Sequence, residues 1–443
     1  MNRSELQANV GTIVVVIMEN RSFDHVLGYL RHPQEGNRTT VAGIEDLNNP
    51  AYENPNSDGE AIKPFWMNDA PLPSDLPHDP DAVQTQLARS SINGSYMMNG
   101  FVKAFENEFH NSMDAPPVMG LLRARDLPTT SALASQYTVC DNWFACLPTS
   151  TAPNRLMSMC GFTNHRDTGT FLPDQTTVFD WLLAHGVRWR VYSAGLPFFL
   201  LMPRLAPLLL TSHFRGLDQL PIDLANDAAQ DWPQVIFVEP DYHDCPVHLQ
   251  DPCDNHAPLA MAPGEAFLGQ VYRWFASSPS RWAQTVLLVT YDEHGGFFDH
   301  VSPIRVKYRN PNGVAFDTTG PRVPAIVAGP FAPRAVSHAL LDNTSILQLL
   351  AERFGQAGET YSSEVLGRMQ QNIVSVSTVL SADAGNIMPA VLGTASQVPM
   401  PPPTLTGNPR LRQGFADAAQ AFVAAHQAEA LAKYPKLASY SGR

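Results

Sequence analysis

Six short runs of β-branched and aliphatic residues recur along the chain with helix-like stretches between them, and this alternation narrows the possible folds more than any other feature. The runs are TIVVVIM (12–18), QYTVCDNWF (136–144), VRWRVYSA (187–194), QVIFVEP (234–240), TVLLVTY (285–291) and VPAIVAG (323–329). Continuous apolar runs of this length suit strands buried on both faces. Between them, TTVFDWLLAHG (176–186), GEAFLGQVYRWFASSP (264–279) and TSILQLLAERFG (344–355) place apolar residues near the 3.6 period, and the last two end in Pro or Gly. The pattern predicts an α/β fold: a three-layer sandwich with a mostly parallel central sheet.

The chain has 443 residues, 44% hydrophobic and 16% charged, which is enough for one large domain. Residues 1–395 are read as one main domain. Within it, the polar, Pro/Asn/Asp-rich stretch around 33–80 reads as an ordered surface excursion and 305–322 as a flap. A Pro-rich spacer and an Ala-rich helix packed on the core follow over 396–443. The net charge of −13 repels a polyphosphate backbone and argues against nucleic-acid binding. No apolar run reaches the roughly 20 residues of a membrane span, or the about 7–15 of a signal-peptide core. The expected location is cytoplasmic, or exported without a Sec or Tat leader. Five cysteines do not make a disulfide framework, and whether Cys245 and Cys253 bridge is left open. Oligomeric state is not readable.

Strands of an open parallel sheet bring their carboxyl ends to one edge, where ligands bind. The first run ends in Glu19-Asn20 and the fifth in Asp292-Glu293. Three carboxylates in one cleft call for a cation, and oxygen donors suit Ca, Mg or Mn, with Zn also possible. Thr151, in STAPNRLMSM, has the pattern of an N-cap followed by a first-turn proline. A helix N-terminus holds phosphate against such a hydroxyl, and a metal touching Oγ would make it a nucleophile. His78, His243, His256, His294 and His300 are candidate phosphate ligands, metal ligands or proton donors.

The segments VVVIMENRSFDHVLGYL, TAPNRLMSMCG, GEAFLGQVYRWFASSPSRWAQTVLLVTYDEHGGFFDHV and DNTSILQLLAERFG resemble the bacterial phosphoesterase family of phospholipases C and a related acid phosphatase. The resemblance covers about residues 12–356 and implies an alkaline-phosphatase-like fold. It implies metal ligation by Glu19, Asp292, Glu293 and Thr151. Asn20 is implied as a phosphate-oxygen ligand, Thr151 as nucleophile, and His256 and His78 as catalytic histidines. Thr149 and Ser150 compete with Thr151 as hydroxyls, and Asn343 stands where many relatives carry histidine. The implied reaction is metal-dependent hydrolysis of a glycerophospholipid such as phosphatidylcholine, through a phosphothreonine intermediate. Membrane contact would then come through the substrate alone. The alternatives are phosphomonoester hydrolysis at the same site, or a catalytically silent lipid-surface protein. For a choline head group, Trp66, Tyr96, Trp143 and Phe144 are the candidate aromatic faces.

Overall fold

The computed structural model describes residues 1–169, 172–244, 252–385, 390–393 and 421–433. Among the described residues the central sheet has eight strands: β1 Thr12–Met18, β2 Thr138–Cys140, β3 Trp189–Ser193, β4 Phe214–Gly216, β5 Val235–Glu239, β6 Thr285–Tyr291, β7 Ala325–Ala328 and β8 Val336–Ser337. Their spatial order is β8-β2-β7-β6-β1-β5-β3-β4. β1 lies parallel between β6 and β5, and β3 and β4 continue in the same direction. β7 alone among these strands runs against its neighbours, while β8 runs parallel to β2. The mostly parallel α/β architecture expected from the alternation is therefore present.

β1 and β6 are buried at every position, which requires cover on both sheet faces. Helices supply it: α1 Phe23–Leu27, α2 Pro80–Leu87, α3 Pro128–Gln136, α4 Thr151–Cys160, α5 Ala262–Ala276 and α6 Thr344–Phe354 are those that matter below. α4 packs on α6 and α3 on α5, and residues of both pairs join the sheet in one hydrophobic core.

The run 136–144 is not one strand. β2 stops at Cys140, and Trp143–Phe144 instead pairs in parallel with Leu341–Asp342 in a separate two-stranded ribbon. The break falls at the buried Asp141, whose carboxylate accepts from Ala42 N at 2.8 Å and His338 Nδ1 at 2.8 Å. β4 and β8, of three and two residues, are too short to leave a pattern in the sequence.

Residues 33–80 carry apolar side chains inward. Ile44, Tyr52, Ile62 and Leu76 join Phe101, Val118, Phe297 and Phe298 in a second hydrophobic cluster. Within 305–322, Tyr308–Arg309 and Ala315–Phe316 form a hairpin whose Tyr308, Val314 and Phe316 pack on Cys146, Leu147 and Met157. Phe422 and Ala430 are buried in the main core, and Lys433 Nζ donates to the Leu209, Thr211 and Phe214 carbonyls. The Pro-rich spacer, the start of the terminal helix and Cys245 lie outside the described residues. Among the described residues no helix is long and apolar enough to cross a membrane.

One buried ion-pair network ties the segment after β1 to the loop after β6. Arg322 donates to Asp24 at 3.0 Å and to Asp299 at 2.9 Å, and reaches the Ala42 and Asp141 carbonyls. All three charged side chains are fully buried. Removing the cation would strand two carboxylates, so Arg322→Ala is expected to lower unfolding free energy by about 3–5 kcal/mol. Lys63→Ala, which breaks an exposed 3.9 Å contact with Glu53, is expected to change it by less than about 1 kcal/mol. Urea denaturation of the two variants checks the contrast.

Candidate active site at the strand ends

The carboxyl ends of β6, β1 and β5 lie side by side, and the residues following them meet in one buried cleft. Asn20 takes a left-handed conformation, φ 58°, directly after Glu19. The turn is fixed from both sides: Asn20 N donates to Asp292 Oδ1 at 3.1 Å, and Arg21 N to the Glu293 carbonyl at 3.1 Å. Gly295 packs flat against this turn. A Cβ at Gly295, itself at φ 62°, would stand 2.0 Å from the Asn20 carbonyl oxygen.

Thr151 opens α4 from the other side of the cleft, and its Oγ1 donates to Asn20 Oδ1 at 3.3 Å. It is the first helical residue; Ser150, not Thr151, is the N-cap. The expected cap is displaced by one position because Asn154 folds the preceding turn. Its amide accepts from Leu147 N and donates to the Leu147, Thr149 and Ser150 carbonyls. The two competing hydroxyls are engaged elsewhere: Ser150 Oγ donates to Asp167 at 2.6 Å and Thr149 Oγ1 to the Arg166 carbonyl at 2.7 Å.

Asn20 Nδ2 lies 2.8 Å from His256 Nε2 and 3.4 Å from His78 Nε2. His256 also stands 3.2 Å from Glu19 and 3.3 Å from Asp75. Burial works against its imidazolium, but Asp75 and Glu19 outweigh burial and hold the ring well above the usual histidine pKa. His78 is also raised, with Glu293 and Asp75 opposing the effect of burial.

Glu19, Asp292 and Glu293 are buried together, and Arg155, one turn along α4 from Thr151, bridges two of them. It lies 3.1 Å from Glu19 and 3.3 Å from Asp292. Burial raises the Asp292 carboxyl above its ordinary range; Arg155 opposes this and the neighbouring Glu19 and Glu293 add to it. Glu293 Oε1 has no hydrogen-bond partner among the described residues. Arg155 shares these carboxylates with His256 and His78, and their hard oxygen donors, one of them unpartnered, fit a divalent cation.

The structure thus brings Thr151, Asn20, His256, His78, Glu19, Asp292 and Glu293 into one site, but the expected metal-ligand set is not its tightest grouping. Asp292 Oδ1 accepts two backbone N–H groups and Oδ2 faces Arg155, so both oxygens are engaged. Potential ligand atoms within 4.8 Å of one another instead form the groups Asp75/His78/His256, His243/Asp254/His256 and Glu19/Asp244/Asp254 among the described residues, with a fourth, Asp24/Asp299/His300, in the Arg322 network. Asp75, Asp254 and Arg155 escaped the sequence reading. Asp75 is three residues before His78 and Arg155 four after Thr151, and those spacings were the available signals.

The other candidates are placed elsewhere. His294 lies 3.1 Å from Glu293 and 2.7 Å from Gln86, holding the carboxylate from behind. His300 pairs with Asp24. Trp143 and Phe144 cannot offer a choline cage, because both are buried in the ribbon beside β2. Trp143 Nε1 donates to Asn343 Oδ1 at 2.8 Å while Asn343 Nδ2 reaches the Tyr291 carbonyl, so Asn343 braces the end of β6. Trp66 packs edge-on to His32 beneath Arg123, and the Tyr96 carbonyl accepts from Ser302.

A parallel sheet with a hydroxyl, an amide, histidines and carboxylates at its strand ends is the framework of a phosphate-ester site. The chain matches the model of the Phosphoesterase family over residues 10–356, and it belongs to that family. It is 34% identical over 348 residues to non-specific phospholipase C1 of Arabidopsis thaliana, covering 74% of this chain and 62% of that protein. Hemolytic phospholipase C of Pseudomonas aeruginosa is 26% identical over 420 residues, covering 80% of this chain and 54% of that protein. Phospholipase C A of Mycobacterium tuberculosis is 29% identical over 399 residues, covering 77% and 72%. Plant as well as bacterial proteins are therefore relatives, and the bacterial qualifier drawn from the sequence is too narrow. The matched region spans about six-tenths of the length of the Arabidopsis relative. Among solved structures, a lipoteichoic acid synthase from Listeria monocytogenes aligns at 9% identity and TM-score 0.36, covering 82% of this chain and 77% of that one. An alkaline phosphatase superfamily protein from Vibrio parahaemolyticus aligns at 12% and 0.34, covering 53% and 61%. Both scores are too low to carry weight.

The close packing of Gly295 on Asn20 gives the site a mechanical test. Gly295→Ala is expected to lower unfolding free energy by more than about 2 kcal/mol. Gly367→Ala, in a helix where the new methyl meets nothing within 4 Å, is expected to be neutral or stabilising by up to about 1 kcal/mol. Urea or thermal unfolding of both variants reads the difference.

Proposed function

We propose that the protein is a metal-dependent phosphodiester hydrolase of the phospholipase C type, acting on a glycerophospholipid such as phosphatidylcholine. The observation that carries this reading is the Thr151 hydroxyl at the N-terminus of α4, 3.3 Å from the Asn20 amide, with His256 on the far side of that amide. Family membership and the phospholipase C names of the relatives support it.

Glu19 and the unpartnered Oε1 of Glu293 would hold a divalent cation beside Thr151, and Asp292 would join them where the cation takes the place of Arg155 at its Oδ2. When bound, the cation supplies Lewis-acid stabilisation of charge on the phosphoryl oxygens and lowers the pKa of a nearby hydroxyl. The first N–H groups of α4 and the Asn20 Nδ2 donors orient the phosphate in front of Thr151 Oγ1. Thr151 Oγ1 releases its hydroxyl proton to solvent and attacks phosphorus as the bond to the glycerol oxygen breaks, which leaves the phosphorylated head group esterified to Thr151. His256, kept protonated by Asp75 and Glu19, gives its proton to the departing alkoxide. Its neutral form then takes a proton from water as the water oxygen bonds to phosphorus and the bond to Thr151 Oγ1 breaks; the head group leaves with its phosphate, and Oγ1 regains its proton from solvent. His78 stands ready on the same side, 3.8 Å from Glu293.

Thr151→Ala is expected to lose at least about a thousandfold in hydrolysis of p-nitrophenylphosphorylcholine, and Ser150→Ala to keep most of the rate. The reverse outcome would move the nucleophile by one residue. A preference for p-nitrophenyl phosphate would replace the diester reading with a monoesterase. Chelation is expected to abolish turnover, and titrating Ca, Mg, Mn or Zn into the apoprotein to restore it. Full activity in metal-free protein, verified by elemental analysis, would refute the cation.

A further inference from the structure

Charge on this acidic chain is not evenly spread. In RVKYR (305–309) the residues alternate: Val306 and Tyr308 are buried, while Arg305, Lys307 and Arg309 are exposed. An extended segment with this alternation shows three cations on one side. The exposed Arg89 joins them, because Arg89 and Arg305 both reach the Gly94 carbonyl, Arg305 at 2.7 Å. Arg309, Lys307 and Arg89 all hold the exposed Asp317 carboxyl below its usual range, after its hydrogen bond with Arg309. Asp317 pairs with Arg309, so the patch remains cationic on a chain of net charge −13.

Two large apolar side chains rise from the same place. Ile92 is 95% exposed and Met97 54% exposed, on the turn that Arg89 and Arg305 clasp. Ile92 is the most exposed large hydrophobic residue described, and the turn is anchored by Ser302 Oγ donating to the Tyr96 carbonyl at 2.9 Å. What sets Ile92 and Met97 apart from other exposed apolar side chains such as Leu210 is the cationic cluster beside them, a combination that suits an apolar phase edged by anionic groups.

Two chain connections tie the patch to segments that line the cleft. The 88–97 turn continues from α2, which begins two residues after His78. The cationic strand is fastened through Tyr308 to Thr163 at 2.7 Å, and residues 163–168 end at Thr168, whose Oγ1 accepts from Ala152 N beside Thr151.

We propose that this patch is a bilayer-docking surface: Ile92 and Met97 enter the acyl boundary while Arg89, Arg305, Lys307 and Arg309 contact anionic lipid phosphates. The inference rests on the phospholipid reading of the site, and it assigns the membrane contact to a surface separate from the substrate cleft. Apolar insertion beside a cationic rim is how a peripheral protein holds a membrane without a span.

The test is co-sedimentation of the full chain with vesicles of phosphatidylcholine containing phosphatidylglycerol, against phosphatidylcholine alone. Tighter binding to the anionic vesicles is expected. The double variant Ile92→Asp/Met97→Asp is expected to lose at least about tenfold in partitioning, and Lys307→Glu at least about fivefold. Both are expected to keep their melting temperatures and their rate on soluble p-nitrophenylphosphorylcholine. Unchanged partitioning in both variants overturns the proposal. So does binding that responds to Lys307 and salt but ignores Ile92 and Met97, since that describes attraction to any polyanion. Absence of turnover on the soluble ester with vesicle binding intact would instead count against the hydrolase reading alone.

Discussion

Arg155 between Glu19 and Asp292 is the contact on which the site is built. It is reached from α4, whose first residue is Thr151, while the two carboxylates follow β1 and β6. One ion-paired side chain therefore fixes the distance between the helix that presents a hydroxyl and the strands that present the carboxylates. A buried pair of this kind contributes little net stability, yet losing either partner leaves a charge stranded. That asymmetry makes it a positional constraint rather than a source of folding energy.

Around it, the fold supplies stiffness in layers. β1 and β6 pair over all seven positions of each strand, so Glu19 and Asp292 leave the sheet at a common level. Asn343 braces the β6 end from behind, and Arg322 clamps the chain after both strands. On the open side, residues 33–80 form their own apolar cluster with Phe297 and Phe298. That packing carries Asp75 and His78 over the cleft. An irregular segment can place catalytic-type side chains with this accuracy only because its Ile44, Ile62 and Leu76 are buried.

What the sequence disclosed follows from locality. β1 and β6 were legible because uninterrupted apolar runs have few other uses, and their carboxyl-end residues then had to share an edge. Thr151 was legible as a helix start, although the cap belongs to Ser150: the Asn154 side chain folds the turn through hydrogen bonds to Leu147, Thr149 and Ser150, a local pattern that the capping motif does not encode. The break after Cys140 depends on Ala42 and His338, far off in the chain. Asp75 and Asp254 sit in polar, Pro-containing stretches where an inward carboxylate looks like any surface one. The aromatic candidates failed for a related reason: sequence shows that Trp143 is large and apolar, not that Asn343 and the core already occupy it.

The central claim is that Thr151 Oγ1 bonds to phosphorus. The direct measurement is peptide mass spectrometry of protein acid-quenched during turnover of p-nitrophenylphosphorylcholine. A phosphorylcholine adduct on Thr151, absent in Thr151→Ala, is the result expected. An adduct on Ser150, Thr149 or a histidine, or no adduct in protein that is turning over, would contradict it.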